Sequence, residues 1–371
     1  MHIADVTMFY TPSSGGVRTY LEAKRRWLTG RAQHSLIVPD SRRFDQGVIH
    51  GVPALPIPFG NGYRFPLRKR SWVDTLLQLR PDLIEAGDPY VTAWACVEAG
   101  QRLGVPMVGF YHSDLPRLVN SRLGHWTDPL LDSYIRRLYR HFDRILAPSQ
   151  VIADKLQRLG VANVRLQPLG VDTSQFHPRH RDPSLKAELG IAPEVPLLIF
   201  VGRAAREKNL PLLLKAMKLL GKGYHLLLVG PGMPRSVPAN VSIIDAFAQA
   251  DRIARYLASS DALIHAGDSE TFGLVVLEAM ASGIPVIGTR MGAVAELVVP
   301  GCGLLADAVT APALADAARN LFANGHYGMG RLARKRVEEC YAWDKVLAQL
   351  LVQYQELTGY TDQKKQDSRR A

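Results

Sequence analysis

Short apolar runs alternate with amphipathic segments along most of the chain. The stretch "RPDLIEAGDPYVTAWACVEAGQRLGVPMVGFYHSDLP" predicts a strand over 82–86, a helix over 89–103 and a strand over 106–111. Continuous apolar runs of about four to eight residues are typical of strands buried on both faces, and helical crossovers between such strands indicate parallel pairing. The pattern therefore predicts an α/β protein built from parallel sheets with helices on their faces.

The N-terminus begins with the apolar strand "HIADVTMF", followed by "YTPSSGGVRTYLEAKRRWL". This second segment predicts a Ser/Gly turn that opens an amphipathic helix near Val17. Gly15 and Gly16 permit a ligand to approach the backbone closely at the start of a helix dipole. The turn matches neither G-x-G-x-x-G nor a Walker A loop, and an ordinary tight turn stays the open alternative.

Two glutamates eight positions apart flank the segment "TFGLVVL". The surrounding sequence, "DALIHAGDSETFGLVVLEAMASGIPVIGT", predicts a strand, a loop, a helix and a second strand. Glu270 is expected beyond the carboxyl end of its strand, where open α/β sheets bind ligands. Glu278 is expected about two helical turns further on, facing the same way. The amides of Phe272, Gly273 and Leu274 would form an anion site at the helix N-terminus, although a solvated helix face remains the alternative for a glutamate pair.

Cations and a histidine follow two other predicted strands. "PLLIFVGRAAREKN" places Arg203 and Lys208 in a loop after a buried strand, where paired cations suit a diphosphate. "MVGFYHSD" places His112 and Asp114 at the end of another strand. A structural role is the alternative for His112, and Asp114 could either engage an acceptor hydroxyl or cap the next segment.

Composition bounds the class of protein. The 371 residues are 47% hydrophobic and 21% charged, as in ordinary globular proteins, and are enough for two domains. The chain contains no run of about 18 unbroken apolar residues, and no leader is expected before the first strand. Three scattered cysteines show no metal-ligand spacing and favour a reducing cytoplasm.

The net charge of +11 is unevenly distributed. Residues 1–170 hold 22 Lys and Arg against 14 Asp and Glu, and the tail 364–371 holds four against one, while the rest balances. This asymmetry suggests an acidic partner, namely an anionic membrane, a phosphorylated lipid or a nucleic acid. "NGYRFPLRKRSW" mixes cations with Trp72 and other aromatic residues, so it could be a membrane contact or a solvated loop.

The segment "ETFGLVVLEAMASGIPV" resembles the E-x7-E motif of the family 4 retaining glycosyltransferases, which use nucleotide-sugar donors. "YHSD", "GVD…F" and "GR…K" resemble further segments of that family, so the resemblance covers nearly the whole chain. It implies the GT-B fold, with two facing Rossmann-like domains and an interdomain cleft. We therefore expect an N-terminal domain over 1–170, a nucleotide-sugar domain over 171–345, and a terminal helix with a basic tail over 346–371 that crosses back to the first domain.

The resemblance also implies roles for single residues. Arg203 and Lys208 would neutralise the leaving diphosphate, which Gly15 and Gly16 would face from the other domain. Glu270 would position the donor sugar together with the amides of the "TFGL" turn. Glu278 would bind the ribose, and His112 would contact the transferred sugar. The loop that the chain shows, "AAREKN", lacks the glycine that often follows the lysine.

The expected activity is transfer of a hexose, with retention of configuration, to a lipid-linked or glycan acceptor. "YHSDLP" resembles the bacterial α-mannosyltransferase branch of the family, which implies a GDP-mannose donor, with UDP-glucose second, and neither a metal nor another cofactor is expected. We expect a cytoplasmic enzyme, peripheral on the inner face of the plasma membrane if the basic surface binds lipid. A nucleotide-sugar epimerase of the same fold is the alternative, and a nucleic-acid-binding protein is a weaker one because no recognition module is present.

Overall fold

The computed structural model describes residues 1–11, 15–40, 48–56, 63–66, 68–116, 124–246, 248–323 and 325–360. Tertiary contacts divide the chain into two units. The first unit is Met1–Pro168 together with the C-terminal segment from Val346, and the second is Leu169–Lys345. The basic tail 364–371, which the sequence singles out, lies outside the described residues.

The first unit is a parallel sheet with helices on its faces. Its strands are β1 (His2–Val6), β2 (Gln33–Asp40), β3 (Ile49–Pro53), β4 (Leu55–Pro56), β5 (Arg64–Phe65), β6 (Leu83–Ala86), β7 (Met107–Phe110), β8 (Arg144–Ala147) and β9 (Val164–Leu166). Its helices are α1 (Gly16–Leu28), α2 (Lys69–Leu79), α3 (Val91–Leu103), α4 (Asp128–Tyr139), α5 (Gln150–Arg158) and, from the C-terminal segment, α13 (Trp343–Thr358), whose first turn precedes the boundary between the units.

The strand order of the first sheet, within the described residues, is β3-β2-β1-β6-β7-β8-β9. Its neighbouring strands pair in parallel throughout, and Val6 of β1 lies between Ile37 and Ala86. The sheet grows outward in opposite directions from β1 and β6, so a topological switch point lies between these two strands. Open α/β sheets bind ligands at the carboxyl ends of strands on either side of such a point.

The second unit repeats this architecture. Its strands are β10 (Leu197–Val201), β11 (His225–Val229), β12 (Val241–Ile244), β13 (Ala262–His265), β14 (Val286–Thr289) and β15 (Gly303–Ala306). Its helices are α6 (Ser184–Glu188), α7 (Leu210–Leu220), α8 (Ala250–Ser259), α9 (Leu274–Ala281), α10 (Val294–Leu297), α11 (Ala311–Ala323) and α12 (His326–Cys340). Among the described strands the order is β12-β11-β10-β13-β14-β15, all parallel, which puts the switch point between β10 and β13.

Apolar strands form the centre of each core. All five residues of β1 are buried, and in β10 and β11 four of the five are. Helix α9 is apolar around most of its circumference and buries five of its eight residues, as expected for a helix enclosed in a core. Trp72, for which the sequence suggested a membrane contact, is a residue of α2 and is fully buried, so that interpretation of Trp72 is wrong.

Candidate active site

The two loops at the switch point of the second unit bring together most of the residues predicted to bind the donor. The loop after β10 carries Arg203 and Lys208, and the loop after β13 carries Glu270. Because β10 and β13 are neighbours in parallel, their carboxyl ends lie at the same edge of the sheet. The strand order alone therefore brings together residues that are 62 positions apart in the chain.

Lys208, His265 and Glu270 form a bonded group that we call the Glu270 cluster. The Lys208 ammonium donates to Oε1 of Glu270, and Nε2 of His265 lies 3.2 Å from the same oxygen. His265 is almost fully buried, whereas Lys208 and Glu270 keep 17% and 16% of their side chains exposed. Within the described residues no group bonds to Oε2 of Glu270, so that oxygen can accept a hydrogen bond from a ligand.

The hydrogen bonds of His265 determine its tautomer. The backbone N–H of Gly267 donates to Nδ1 at 3.2 Å, so the ring proton lies on Nε2 and is directed at Glu270. Burial alone raises the pKa of Glu270, but the Lys208 ammonium and the His265 N–H outweigh it and hold the pKa well below its ordinary value. Glu270 is therefore a fixed carboxylate anion at neutral pH.

The loop that carries Glu270 is braced by its own backbone. Thr289 donates its hydroxyl to the carbonyl of Gly267 at 2.6 Å, and the N–H of Ala293 donates to the carbonyl of Glu270 at 3.0 Å. A Cβ atom at Gly267 would lie 2.5 Å from the His265 ring, and one at Gly292 would lie 2.9 Å from the Glu270 carbonyl oxygen. Glycine at both positions permits this close packing, which holds the carboxylate in place.

Asn209 explains how the loop after β10 works without the glycine expected after Lys208. A short 3₁₀ turn, Arg206–Lys208, ends at Asn209, whose φ of 52° and ψ of 41° lie in the left-handed region. Glycine adopts that region without strain, and asparagine is the next most tolerant residue. The departure from the family pattern therefore keeps the backbone path that presents Lys208.

Arg203 lies in the same loop but outside the Glu270 cluster. Its side chain is 64% exposed and forms an ion pair with Glu207 at 3.1 Å. The loop itself packs backbone to backbone against the loop after β11, since a Cβ atom at Gly230 would lie 2.1 Å from the carbonyl oxygen of Gly202. Arg203 is thus an exposed cation on a loop that is held in place by packing, and its guanidinium group is available to an anion that displaces Glu207.

The N-terminus of α9 presents free backbone amides beside this cluster. Gly273 is the N-cap with a φ of 90°, and α9 begins at Leu274. Within the described residues, the amides of Phe272, Gly273 and Leu274 have no hydrogen-bond partner, as the predicted anion site requires. The ring of Phe272 is buried and meets Tyr341 edge-on, with 6.3 Å between ring centroids, which anchors the turn.

Glu278 lies on α9, as the sequence predicts, but its expected spacing from Glu270 along the helix is not observed. Glu270 precedes the helix, so the seven residues between Glu270 and Glu278 do not form two helical turns, and that expectation is wrong. Glu278 is half-buried, and its carboxylate forms no hydrogen bond with another described residue. Burial raises the pKa of Glu278 from 4.5 to about 7, so the protonated and ionised forms of its carboxyl group are about equally populated near neutral pH.

Gly15 and Gly16 begin α1 at the switch point of the first unit. Gly15 is the N-cap, and a Cβ atom there would meet nothing within 4 Å, so open space borders the backbone. The loop after β1 is fixed to the loop after β6, because the N–H of Met8 donates to the buried carboxylate of Asp88 at 2.6 Å. Residues 12–14, part of the predicted Ser/Gly turn, lie outside the described residues.

His112 lies two residues beyond β7, as the sequence predicts. Its ring stacks on Phe110 with 4.0 Å between centroids and is covered on another side by Tyr20 at 4.9 Å. Burial lowers the pKa of His112 to about 3, and the nearby Lys24 ammonium adds to this effect, so the imidazole is neutral. Its Nε2 atom is buried and has no partner in the part of the chain that the structure describes.

Asp114 is engaged by neighbours that the sequence did not reveal. Lys155 lies 2.6 Å from both of its carboxylate oxygens, and the Tyr111 hydroxyl donates to it at 3.1 Å. Sequence reasoning missed Lys155 because it belongs to α5, and it missed His265 because a histidine at the end of an apolar strand resembles an ordinary core residue. The only local signal was the polar character of His265 within "DALIHAG".

The described residues contain no group of three or more His, Cys, Asp and Glu side chains placed to hold a metal ion. None of their helices combines the length and apolar character needed to cross a bilayer.

Two family models match successive parts of the chain, and the first match continues a short way past the boundary between the units. Residues 14–175 match Glycosyltransferase Family 4, and residues 195–324 match Glycosyl transferases group 1. A GDP-mannose-dependent alpha-(1-6)-phosphatidylinositol dimannoside mannosyltransferase of Mycobacterium tuberculosis is 28% identical over 95% of each chain. A GDP-mannose-dependent alpha-mannosyltransferase of Corynebacterium glutamicum is 29% identical over 95% of this chain and 88% of its own.

Solved structures with the same fold cover almost the whole chain. Sucrose-phosphate synthase from Thermosynechococcus elongatus has a TM-score of 0.81 at 20% identity, over 97% of this chain and all of that one. The Anabaena protein HepE, solved with UDP and glucose, has a TM-score of 0.76 at 17% identity, over 96% of this chain and all of that one. The named relatives do not favour the epimerase alternative.

Proposed function

Because the chain belongs to the group 1, family 4 glycosyltransferases and has the GT-B fold of the solved enzymes, we propose that it transfers mannose from GDP-mannose with retention of anomeric configuration. The donor assignment is supported by the Mycobacterium and Corynebacterium relatives, which are described as GDP-mannose-dependent. The acceptor is a lipid-linked saccharide or another glycan, in keeping with the phosphatidylinositol dimannoside named for the mycobacterial relative.

The Glu270 cluster beside the open amides of α9 is the observation that carries this proposal. When the bond between the anomeric carbon and the diphosphate breaks, negative charge grows on the diphosphate. Lys208, Arg203 and the amides of the "TFGL" turn supply fixed positive partners for that charge. These groups could stabilise the leaving diphosphate without a metal ion, and metal independence is part of the proposal.

The two glutamates have separate tasks in this scheme. Glu270 binds Lys208 and His265 through Oε1, and its Oε2 accepts a hydrogen bond from a hydroxyl of the donor sugar. Glu278 accepts hydrogen bonds from the ribose hydroxyls, which favour its ionised form. In the first unit, Gly15 and Gly16 leave space for the diphosphate, and neutral His112 offers Nε2 to the transferred sugar.

Asp114 has a weaker case as an acceptor-binding residue. Its carboxylate is already neutralised by Lys155, which favours a role in holding the loop after β7. The proposed location is the cytoplasmic face of the plasma membrane, where an anionic surface would meet the basic first unit.

A donor panel combined with one variant tests the proposal. Purified protein is heated with GDP-mannose, GDP-glucose, UDP-glucose and UDP-galactose. GDP-mannose is expected to raise the midpoint most, because a ligand that binds only the folded state stabilises it by mass action. Mannosyl transfer by Lys208→Ala should fall by about 10²-fold or more, because the lysine meets developing charge.

Lys215→Ala is the matched control, since Lys215 is an exposed lysine on α7 in the same unit. It should keep the turnover of the unmodified protein. Near-normal turnover by Lys208→Ala in a folded protein would refute the assigned role, and stabilisation by UDP-sugars alone would refute GDP-mannose while leaving glycosyl transfer in place.

A further inference from the structure

Helix α4 and the 3₁₀ turn before it expose an unusual combination of side chains. Trp126 is 71% exposed and Leu130 is 68% exposed, among the most exposed large apolar residues described. Farther along the helix, Arg136, Arg137 and Arg140 are exposed around a surface depression that also includes Ser133. The most exposed side chains of this segment are thus apolar near its N-terminus and cationic near its C-terminus, and neither property follows from the donor site.

These residues lie on one side of the helix. At about 100° per residue, the exposed positions from Pro129 to Arg140 fall within an arc of about 120°. The opposite side carries Ile135, Leu138 and Tyr139, which are buried in the core of the first unit. Asp128 and Asp132 project outside the arc, so the exposed stripe carries no negative charge.

The three arginines have their guanidinium groups available. Among the described residues none of them forms an ion pair, whereas other surface cations of the unit do. Lys69 lies 2.7 Å from Glu98, and Arg70 lies 3.8 Å from Asp74. The segment around residues 64–70, which the sequence suggested as a membrane contact, is therefore partly neutralised, and the stripe on α4 is the stronger cationic surface.

We propose that the stripe on α4 docks the enzyme onto an anionic phospholipid bilayer. Trp126, Pro129 and Leu130 enter the boundary between headgroups and acyl chains, and the arginines bind lipid phosphates above them. Leu130 and Arg137 are seven residues apart, or about 10 Å along the helix, and interfacial apolar groups penetrate about 5–10 Å. A helix that lies obliquely to the membrane surface therefore places Leu130 at the acyl chains and Arg137 at the lipid phosphates at the same time.

An anionic lipid fits this surface better than a second copy of the chain does. The protein carries a net charge of +11, so two copies repel, and the exposed stripe has no acidic side chain that could pair with the arginines of a second stripe. A bilayer supplies phosphates to the cations and an apolar interior to the tryptophan. This inference deepens the proposed lipid-linked acceptor by naming the surface that reaches it, but it requires neither the donor nor transfer.

Vesicle flotation of the full chain tests the inference. Vesicles contain phosphatidylcholine with about one third phosphatidylglycerol, or phosphatidylcholine alone. The unmodified protein should float with the anionic vesicles, and raised salt should weaken its binding. Combined Arg136→Glu, Arg137→Glu and Arg140→Glu should lower the partition coefficient by about 100-fold or more, since each cation at the surface contributes about fivefold.

Two further variants separate local docking from net charge. Combined Lys215→Glu, Lys218→Glu and Lys222→Glu changes the charge by the same amount on exposed positions in and just after α7, and it should retain most of the binding. Combined Trp126→Ala and Leu130→Ser should lower binding about tenfold or more with no change of charge. GDP-mannose thermal shifts should be unchanged in all variants.

Other outcomes would overturn the inference. Equal loss in the α4 and α7 charge variants would mean that net charge alone attracts the protein. Equal binding to both kinds of vesicle would remove the role of lipid phosphate. A dimer that Trp126→Ala and Leu130→Ser abolish, with no vesicle binding by the unmodified protein, would assign the surface to a second copy. If no nucleotide sugar raised the thermal midpoint, the proposed donor would be refuted, but the flotation result would still support membrane docking.

Discussion

Glu270 owes its charge to neighbours at very different distances along the chain. His265 is five positions away, and Lys208 is 62. Sequence reasoning predicted that Glu270 and Lys208 would both lie at the carboxyl ends of strands. It could not predict that they would bond through one carboxylate oxygen, because that depends on the order of strands in the sheet. The buried His265 N–H, which fixes that oxygen, had no separable signal in the sequence.

Glu278 gives a pH prediction at the scale of one residue. Burial raises the pKa of Glu278 to about 7, so the folded state binds its proton more tightly than the unfolded state does. Its contribution to stability is present below its ordinary pKa of 4.5 and is lost as the pH rises through 7. Glu278→Gln should therefore raise the thermal midpoint at pH 8 relative to the unmodified protein, with little difference at pH 4.

Donor binding should show the opposite dependence on pH. A ribose diol donates to the carboxylate, so GDP-mannose affinity should increase as the pH rises through 7, and the increase should be absent in Glu278→Gln. Isothermal titration at pH 6 and pH 8 measures this. An unchanged pH dependence in the variant would separate Glu278 from the ribose, whereas the stability measurement tests only its burial.

At the scale of elements, loops rather than helices present the candidate chemistry. The bounds of the strands follow closely from the apolar runs. The sequence predicts a strand over 82–86, and β6 covers Leu83–Ala86; it predicts another over 106–111, and β7 covers Met107–Phe110. The start of α9 agrees with the expected amide site, since Gly273, with a positive φ, is the N-cap and the helix begins at Leu274. Glu270 lies before this turn, so helical spacing does not relate it to Glu278, and the expectation that the two glutamates lie two helical turns apart is wrong.

The turn at Asn209 gives a prediction about one loop. Its φ of 52° suits glycine and strains a β-branched residue. Asn209→Gly should change the free energy of unfolding by no more than about 1 kcal/mol. Asn209→Val should lower it by about 1–2 kcal/mol more than a valine substitution at an exposed helical position does. For a unit of this size the difference corresponds to roughly 2–8 °C in the thermal midpoint, measured by calorimetry.

Lys215→Val, at an exposed position within α7, supplies the comparison for this turn. Because the turn presents Lys208, Asn209→Val should also lower the rate of transfer, while Asn209→Gly should not. Equal midpoints for Asn209→Val and Lys215→Val would show that the left-handed conformation carries no strain.

At the scale of the whole molecule, two parallel sheets follow from the alternation of apolar and amphipathic segments, but their strand orders do not. The sequence also left unseen a buried charge cluster, formed by Asp5, Lys24, Glu85 and Tyr354. Lys24 of α1 is fully buried and lies 2.7 Å from Asp5 of β1 and 3.1 Å from Glu85 of β6. In the sequence, Lys24 belongs to a run of cations and resembles its exposed neighbours.

The cluster ties the C-terminal helix to the first unit. The Lys24 ammonium donates to the Tyr354 hydroxyl at 2.7 Å, and that hydroxyl donates to Glu85. Tyr20 donates to Glu85 at 3.0 Å and covers the ring of His112, so the cluster also lies behind the predicted sugar contact. The return of the chain to its first unit at Val346 is therefore fixed by a specific polar contact as well as by apolar packing.

Removal of Lys24 should destabilise the first unit strongly. Lys24→Met leaves two buried carboxyl groups without their cation, and breaking a buried pair in this way costs about 3–5 kcal/mol. Burial raises the pKa of Asp5, but Lys24 and His34 outweigh it and lower the pKa to about 2, so this carboxylate is charged at neutral pH. Because loss of Lys24 raises the pKa of both carboxyl groups, the destabilisation should be larger at pH 8 than at pH 5.

Urea unfolding at both pH values, followed by near-ultraviolet circular dichroism, measures this effect. Lys24→Met combined with Asp5→Asn should be less unstable than the two separate losses added together, because the second change removes the charge that the first left unpaired. Additive losses, or a destabilisation by Lys24→Met that does not depend on pH, would mean that Lys24 acts through the packing of its stem against Tyr354 and Tyr20 rather than through its charge. In that case the charge of Lys24 would contribute nothing to holding the C-terminal helix against the first unit.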